Sequence, residues 1–518
     1  MRKNEYVLAI DCGTQSLRTM IFDTKGSLAA MEKIPYEPYS EIEPGRAEQD
    51  PEIYWQSLCT ALTRLKEHAG SSYAKIEGIG VTSQRDSMIC LDEKGDPLRP
   101  AILWLDQRKA DICYKPGFPM KQIFFLIGMG NTIRKMQRDG KCNWIRQHEP
   151  HVWERTYKYV QLSGFLHQRI TGEWKDSIAS QIGHIPFDYK KQRWASENAL
   201  TAKLYPVEQE KLVELVPPGS EIGKITDEFA HISGLRRGIP VIACGSDKGC
   251  ETLGMGVVDE EAGSLSFGTT ATIQTTVSTY MEPLKFLPSY PAPIPGRYNP
   301  EVEIFRGFWM IKWFKEQFGY KEIQEAKGTD KSPEELLDTM LGQTSPGASG
   351  LLVQPYWSPG LKNPYAKGAM IGFGSAHTRA HIYRSMIEGL CYALLDGRQR
   401  IEHVTGKKMR RIAVSGGASS SDSICRIAAD IFGLPILRGK TIETSGLGAA
   451  CIIQYGIGSF ESIQSAVQSM VSYHDTFKPT AEHHEMYMKL FGVYQKIYPS
   501  LQRLYREIGT ITQYPELY

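Results

Sequence analysis

The stretch that most restricts how this chain can fold is its opening, Tyr6 to Asp23, together with the elements up to Thr82. Val7, Leu8, Ala9 and Ile10 form a short apolar run of the kind a buried strand shows, and Met20, Ile21 and Phe22 give a strand running back. Leu28 to Ile34 reads as a third strand. Asp50-Pro51 then starts a helix, with Asp as N-cap and Pro at the first helical position. Ile53, Leu58, Ala61, Leu62 and Leu65 recur along it at helical spacing, and Gly70 can close it. Ile76 to Thr82 is the next strand. The resulting order, β-β-β-α-β, is a distinctive start for an α/β domain.

That order resembles the ribonuclease-H-like domain shared by sugar kinases, actin and the seventy-kilodalton heat-shock chaperones, a likeness of fold and not yet of function. The first turn carries Asp11, Gly13, Thr14 and Ser16. Gly13, lacking a Cβ, lets backbone approach a ligand closely, and successive N–H groups in such a turn form an anion-binding concavity. Asp11 would repel a phosphate but can hold Mg²⁺ or a metal-bound water beside one. An ordinary hairpin with a polar turn reads the same way in this stretch alone.

At 518 residues the chain exceeds one ordinary core, so two large domains are expected. A formal net charge of +2 leaves no basic footprint for nucleic acid, and no run approaches the ~20 apolar residues that span a bilayer. The apolar run after Met1 is too short for a signal peptide, so a cytoplasmic enzyme is expected. The ten cysteines include no C-x-x-C pair. Cys12, Cys244, Cys250, Cys391 and Cys451 read as buried free thiols, and a zinc site is not expected.

Further polar clusters stand after apolar strands. Thr82-Ser83-Gln84-Arg85-Asp86-Ser87-Met88 lies at a strand's carboxyl end, where α/β sheets bind ligands. Trp104, Asp106 and Arg108 suit a polyol, with an indole face for C–H groups and charges for hydroxyls; a packed Trp beside an ion pair is the other reading. Tyr159 to Gly172 reads as one helix ended by its glycine. Val241 to Gly245 is a strand leading to Asp247, which is either a turn aspartate or a carboxylate placed to take a proton from an attacking hydroxyl. Gly263 to Thr275 repeats the strand-turn-strand pattern of the N-terminus, with Gly268, Thr269 and Thr270 at the turn, as a duplicated domain would. Tyr290 to Asn299, rich in proline, reads as a surface loop, and Arg379 to Thr405 as a long amphipathic helix. Arg411 to Val414 is a strand leading to Gly416-Gly417-Ala418, where a nucleotide can lie against the backbone at a helix start. Gly433 to Thr441 imitates a Walker A loop, but five residues separate its glycines and the strand-loop-helix order is missing.

Taken together these stretches resemble the FGGY family of carbohydrate kinases over essentially the whole length. The matching segments are Asp11-Cys-Gly-Thr-Gln-Ser16, Trp104-Leu-Asp106-Gln-Arg108, Gly245-Ser-Asp247, Ser266-Phe-Gly-Thr-Thr270, Gly347 to Tyr356, Gly368 to Phe373, Val414 to Ser419 and Glu443 to Ala450. The resemblance implies two actin-like α/β domains, 1–252 and 253–518, with a ligand cleft between them that closes on substrates. It implies ATP- and Mg²⁺-dependent phosphorylation of a hydroxyl of a small sugar or polyol. Under it Asp247 is the general base and, with Asp11, a metal holder. Thr14, Arg18, Gly268 and Thr269 lie by the phosphates, and Gly416, Gly417 and Ala418 flank the nucleotide. Gln84, Arg85, Trp104 and Asp106 line the sugar pocket. The partner expected is a small molecule, with no nucleic acid and no membrane; a homo-oligomer is compatible with the sequence.

The acceptor is divided between branches. Gln84-Arg85-Asp86 is similar to the Gln-Arg-Glu of glycerol kinases and departs from the Gln-Met-His of xylulose kinases, whereas Tyr494 with Ile497-Tyr498-Pro499 resembles the xylulose-kinase branch. A pentulose such as xylulose or ribulose is the expectation; glycerol or a tetritol is the alternative, and a non-catalytic actin-like nucleotide binder a further one.

Overall fold

The computed structural model describes residues 6–37, 39–41, 43–118, 120–126, 129–285, 287–357 and 365–514. They form two compact units, and each is built on a six-stranded sheet.

The first unit comprises Met1–Gly254, Tyr290–Tyr298 and Glu443–Val471. Its strands are β1 (Tyr6–Cys12), β2 (Ser16–Phe22), β3 (Leu28–Pro35), β4 (Ile76–Ser83), β5 (Glu221–Lys224) and β6 (Pro240–Ser246), in the spatial order β3-β2-β1-β4-β6-β5. β1 pairs antiparallel with β2 and parallel with β4, β4 pairs parallel with β6, and β5 closes the edge antiparallel. Helix α1 (Pro51–His68) lies between β3 and β4 in the chain and starts as expected, the Asp50 side chain accepting from Glu52 N. Its Leu58, Leu62 and Leu65 are fully buried in one core with Leu8, Ile10, Ile79 and Val81. Each such side chain contributes about 1.5–3 kcal/mol. Gly70, at φ 57°, begins a short 3-10 turn just beyond the helix.

The expected division at 252/253 differs from this partition chiefly in two segments that return to the first unit. One is Glu443–Val471 with its helix Thr444–Gly456, whose small residues have a packing reason. A Cβ on Gly448 would lie 1.9 Å from Cys250 O, and one on Gly254 1.9 Å from Thr444 O, so this helix meets α2 (Asp247–Gly254) backbone to backbone. Gly78 and Gly80 of β4 likewise leave room for Ile453. The other segment, read as a surface loop, is a buried hairpin instead. Tyr290–Pro291 pairs with Tyr298–Asn299, and Ala292 and Ile294 are almost fully buried. Its prolines shape a tight turn rather than mark exposure. A third reading is corrected as well: Lys158–Gln161 is a strand, and the helix begins only at Leu162 and ends at left-handed Gly172. Tyr159, Val160 and Gln161 pair there with Cys90, Ile89 and Met88, and those ladder bonds override the helical periodicity.

The second unit comprises Met255–Ser289, Asn299–Ile442 and Ser472–Tyr518. Its strands are β7 (Ala262–Phe267), β8 (Ala271–Gln274), β9 (Glu301–Ile304), β10 (Arg411–Ser415), β11 (Ile436–Gly439) and β12 (Tyr473–Phe477), in the order β9-β8-β7-β10-β11-β12. The pairing senses repeat those of the first unit: antiparallel, antiparallel, parallel, parallel, antiparallel. Helix α3 (Arg379–Thr405) buries Met386, Leu390 and Leu394 with Leu265, Ile273 and Ile412. Ser421 caps α4 (Asp422–Phe432). In α5 (Ala481–Thr512) Tyr494 and Ile497 are core residues, so the C-terminal pattern that resembles the xylulose-kinase branch is a packing feature.

Candidate active site

Three parallel strands of the first unit end side by side. The register sets Asp11 of β1 opposite Thr82 of β4, and Ser246 of β6 opposite Ser83. Asp11, the run Gln84-Arg85-Asp86 and Asp247 therefore stand along one carboxyl edge of the sheet, where α/β folds place ligands.

Asp11 is 7% exposed and lies opposite Arg18 in the β1–β2 ladder. Arg18 reaches Asp11 Oδ2 at 3.7 Å with Nη1 and Glu443 Oε2 at 3.3 Å with Nε. Burial pushes the Asp11 carboxyl up to about 7; Arg18 opposes the rise, and the negative charges of Asp247, Glu443 and Glu251 add to it. Asp247 opens α2, its Oδ1 accepting from Lys248 N at 2.7 Å. Burial raises its carboxyl as well, against the pull of Arg85 and Lys248. Lys248 Nζ holds Glu251 Oε2 at 2.7 Å. The edge is thus rich in hard carboxylate oxygens that repel one another, an environment that favours a small divalent cation. Among the described residues no group of three His, Cys, Asp or Glu side chains converges on one point, so such a cation would keep several waters.

A chain of hydrogen bonds runs beside these carboxylates. Trp104 Nε1 donates to Thr14 Oγ1 at 3.0 Å, Thr14 Oγ1 donates to Gln84 Oε1 at 3.1 Å, and Gln84 Nε2 donates to Tyr54 Oη at 3.1 Å. Thr14 and Trp104, assigned by the resemblance to different halves of the site, are direct partners. Asp106 is almost wholly enclosed, and its carboxylate accepts from Ala47 N, from Arg108 N and from the Arg108 guanidinium at 2.7–2.9 Å. The ion-pair reading describes it: Asp106 braces the loop and does not present its carboxylate.

Arg85 lies 5.1 Å over the ring of Tyr290 from the returning hairpin. Asp86 adopts φ 54°, uncommon for a non-glycine residue. Its carboxylate takes Lys141 Nζ at 2.7 Å and His184 Nδ1 at 2.9 Å. Against the upward push of burial, the Lys141 ammonium and the hydrogen bond to His184 hold it well below the usual carboxylate range. Lys141, His184, Tyr290, Glu251 and Glu443 went unassigned in the sequence; only Glu443, within a matching segment, carried a signal.

In the second unit, Gly268 and Thr269 form the β7–β8 turn, fixed by Phe308 N donating to Gly268 O at 3.0 Å. Gly416 has φ 85°, and a Cβ there would come within 2.7–2.9 Å of the Phe267–Gly268 backbone. Only glycine lets the two turns meet. Gly417 to Ser420 then form a 3-10 turn that leads into α4.

Two family models match consecutive parts of the chain: the FGGY N-terminal domain over residues 6–254 and the FGGY C-terminal domain over residues 263–456. The chain belongs to the FGGY family of carbohydrate kinases. Curated relatives of this FGGY chain extend over nearly its full length. They include an Escherichia coli K12 protein named as an uncharacterized sugar kinase, 29% identical over 93% of this chain and 91% of its own. A Lactococcus lactis xylulose kinase is 28% identical over 97% and 98%, and a Bacillus licheniformis gluconokinase 25% identical over 97% and 98%. The fold matches that of ligand-bound xylulose kinase from Lactobacillus acidophilus, with a TM-score of 0.82 at 22% identity over 97% of this chain and 100% of that one. The two-domain actin-like architecture is thus shown for this carbohydrate kinase. None of its described helices is long and apolar enough to cross a membrane.

Proposed function

We propose that this carbohydrate kinase transfers the γ-phosphoryl group of ATP to a hydroxyl of a small open-chain sugar, a pentulose such as xylulose or ribulose. The observation that carries the chemistry is the pair of carboxylates, buried Asp11 and half-buried Asp247, at the ends of β1 and β6. Asp247, with its carboxyl raised, accepts the proton of the attacking hydroxyl. The new bond forms between that oxygen and the γ-phosphorus, the bond from phosphorus to the β–γ bridging oxygen breaks, and ADP leaves. Asp11 and Asp247, through waters, would hold Mg²⁺, which when bound neutralises charge on the phosphate oxygens. Arg18, held by Asp11 and Glu443, lies beside the phosphates with Thr14. In the second unit Gly268 and Thr269 bind phosphate, and Gly416, Gly417 and Ala418 flank the nucleotide.

Gln84, Arg85 and Trp104 face the acceptor, with Asp106 bracing them. The pentulose reading is supported by the xylulose kinases among the full-length relatives. Gluconokinases among those relatives support a second reading, an aldonate acceptor. Glycerol or a tetritol remains the alternative from Gln84-Arg85-Asp86. The test is acceptor-dependent ADP release over a panel of pentuloses, aldonates, glycerol, tetritols and aldohexoses. Saturable turnover on a pentulose is expected. Turnover on gluconate or glycerol alone overturns the pentulose assignment, and none on any acceptor overturns the kinase mechanism.

A further inference from the structure

Arg438, on β11, has its three guanidinium nitrogens engaged by one small region of the second unit. Nε donates to Asp475 Oδ2 at 2.7 Å, and Nη2 also reaches that oxygen from the neighbouring strand β12. Nη1 donates to Ser419 O at 3.2 Å and Ser420 O at 3.0 Å, and Nη2 to Asp422 Oδ1 at 2.8 Å. The first contact aims the planar fork. The others tie down the last two carbonyls of the turn Gly417–Ser420 and the first residue of α4.

These contacts have two physical effects. A trans peptide is planar, so drawing these carbonyls toward Arg438 fixes the two peptide planes that follow, and the Ser421 N–H donates back to Ala418 O at 3.3 Å, which holds the shape of the turn. Asp422, whose side chain is half exposed, would repel an anion at this turn, and the fixed Arg438 guanidinium offsets that charge together with Arg426, whose Nη2 meets Asp422 Oδ2 at 3.2 Å. We infer that Arg438 is a positioning residue for the nucleotide: it sets the Gly417–Ser420 turn and screens Asp422 so that the turn accepts ATP. The inference rests on the reading that Gly416, Gly417 and Ala418 flank the nucleotide.

The test compares Arg438→Gln with Gly417→Leu. A Cβ on Gly417 meets no atom within 4 Å, so leucine fits the fold and projects from the turn. Arg438→Gln is expected to raise the KM for MgATP and the calorimetric Kd for ADP about ten-fold, the loss of a charged hydrogen-bonded group. The acceptor KM at saturating ATP should stay unchanged, while the melting temperature falls with the hydrogen bonds lost. Arg438→Lys, which keeps the charge without the fork, should fall between. If Gly417→Leu leaves nucleotide affinity intact, the turn is not the nucleotide site and the role of Arg438 falls with it. If Gly417→Leu weakens ADP while Arg438→Gln does not, the reading of the turn survives and the inference is overturned. Equal rises in both KM values would mark Arg438 as purely structural. Should Arg438→Gln fail to fold, Asp475→Asn is measured instead, since it removes the carboxylate that aims the fork and keeps the guanidinium; a raised ADP Kd with an unchanged acceptor KM is expected, and an unchanged ADP Kd overturns the inference.

Discussion

The two sheets use one plan with opposite chemistry at their strand ends. In the first unit β1 ends in Asp11-Cys12 and β6 runs into Asp247; in the second, the matching strands β7 and β11 end in Ser266-Phe267 and Arg438-Gly439. The turns after β1 and β7 share Gly-Thr, at Gly13-Thr14 and Gly268-Thr269. Past β4 stand Gln84, Arg85 and Asp86, and past β10 stand Gly416 and Gly417. A duplicated frame thus carries carboxylates in one copy, and glycines with an arginine in the other. On the function proposed above, the first copy moves the proton and holds the cation, and the second lies against the anion.

The largest expected effect strikes the first copy. Asp247→Asn should lower kcat about 10²–10⁴-fold, the worth of a positioned base, with ADP affinity and melting temperature kept. Turnover near the parent value would remove the acid–base half of the comparison. Asp11→Asn should weaken Mg²⁺ dependence about 10–100-fold, and it has an opposite effect on stability. The folded carboxyl titrates near 7 against 3.8 for the unfolded group, so between those values the folded state binds more protons and stability falls as pH rises. The metal-free Asp11→Asn protein should therefore gain melting temperature above pH 7 and lose part of that slope. A parallel pH profile in parent and variant would contradict the burial of that charge.

Asp86→Asn should destabilise by about 3 kcal/mol in urea titrations, since Lys141 keeps its charge in a buried place without its partner. Because the folded Asp86 carboxyl titrates below its unfolded value, the lost stability is the part present above pH ~4 that disappears on acidification. Gly416→Ala should cost about 1–3 kcal/mol through its φ and its approach to Phe267, and raise the KM for ATP with little change for the acceptor. The smallest effect is Trp104→Phe, which deletes the donor to Thr14. A loss of about 1 kcal/mol, read as a five-fold higher acceptor KM, is expected. If the change falls on ATP alone, Thr14 works on the phosphate side only.

Local chemistry made much of this legible in the sequence. Asp50-Pro51, Gly172 and the strand-end carboxylates each carry their own mechanism, and α3 is bounded as its periodicity predicts. Tyr159 to Gln161 could not be placed this way, because strand partners in Met88–Leu91 decide their state. The hairpin at Tyr290 is buried by residues distant in the chain, which composition does not reveal. Asp106 looked like a ligand, since a sequence does not show that Arg108 and Ala47 N already occupy its oxygens. Lys141 and His184 were invisible for the same reason: only folding brings them to Asp86.

The returning helix Thr444–Gly456 also constrains biosynthesis. On a ribosome the first unit's strands emerge early, yet Gly78, Gly80 and Gly254 present bare backbone to a helix whose first residue, Thr444, is translated 190 to 366 residues later. Until then β1, β4 and β6 lack the helix that packs across them. A nonsense codon between the codons for Asp247 and Thr444 would therefore leave the N-terminal half unfinished, although every strand of its sheet has already been made.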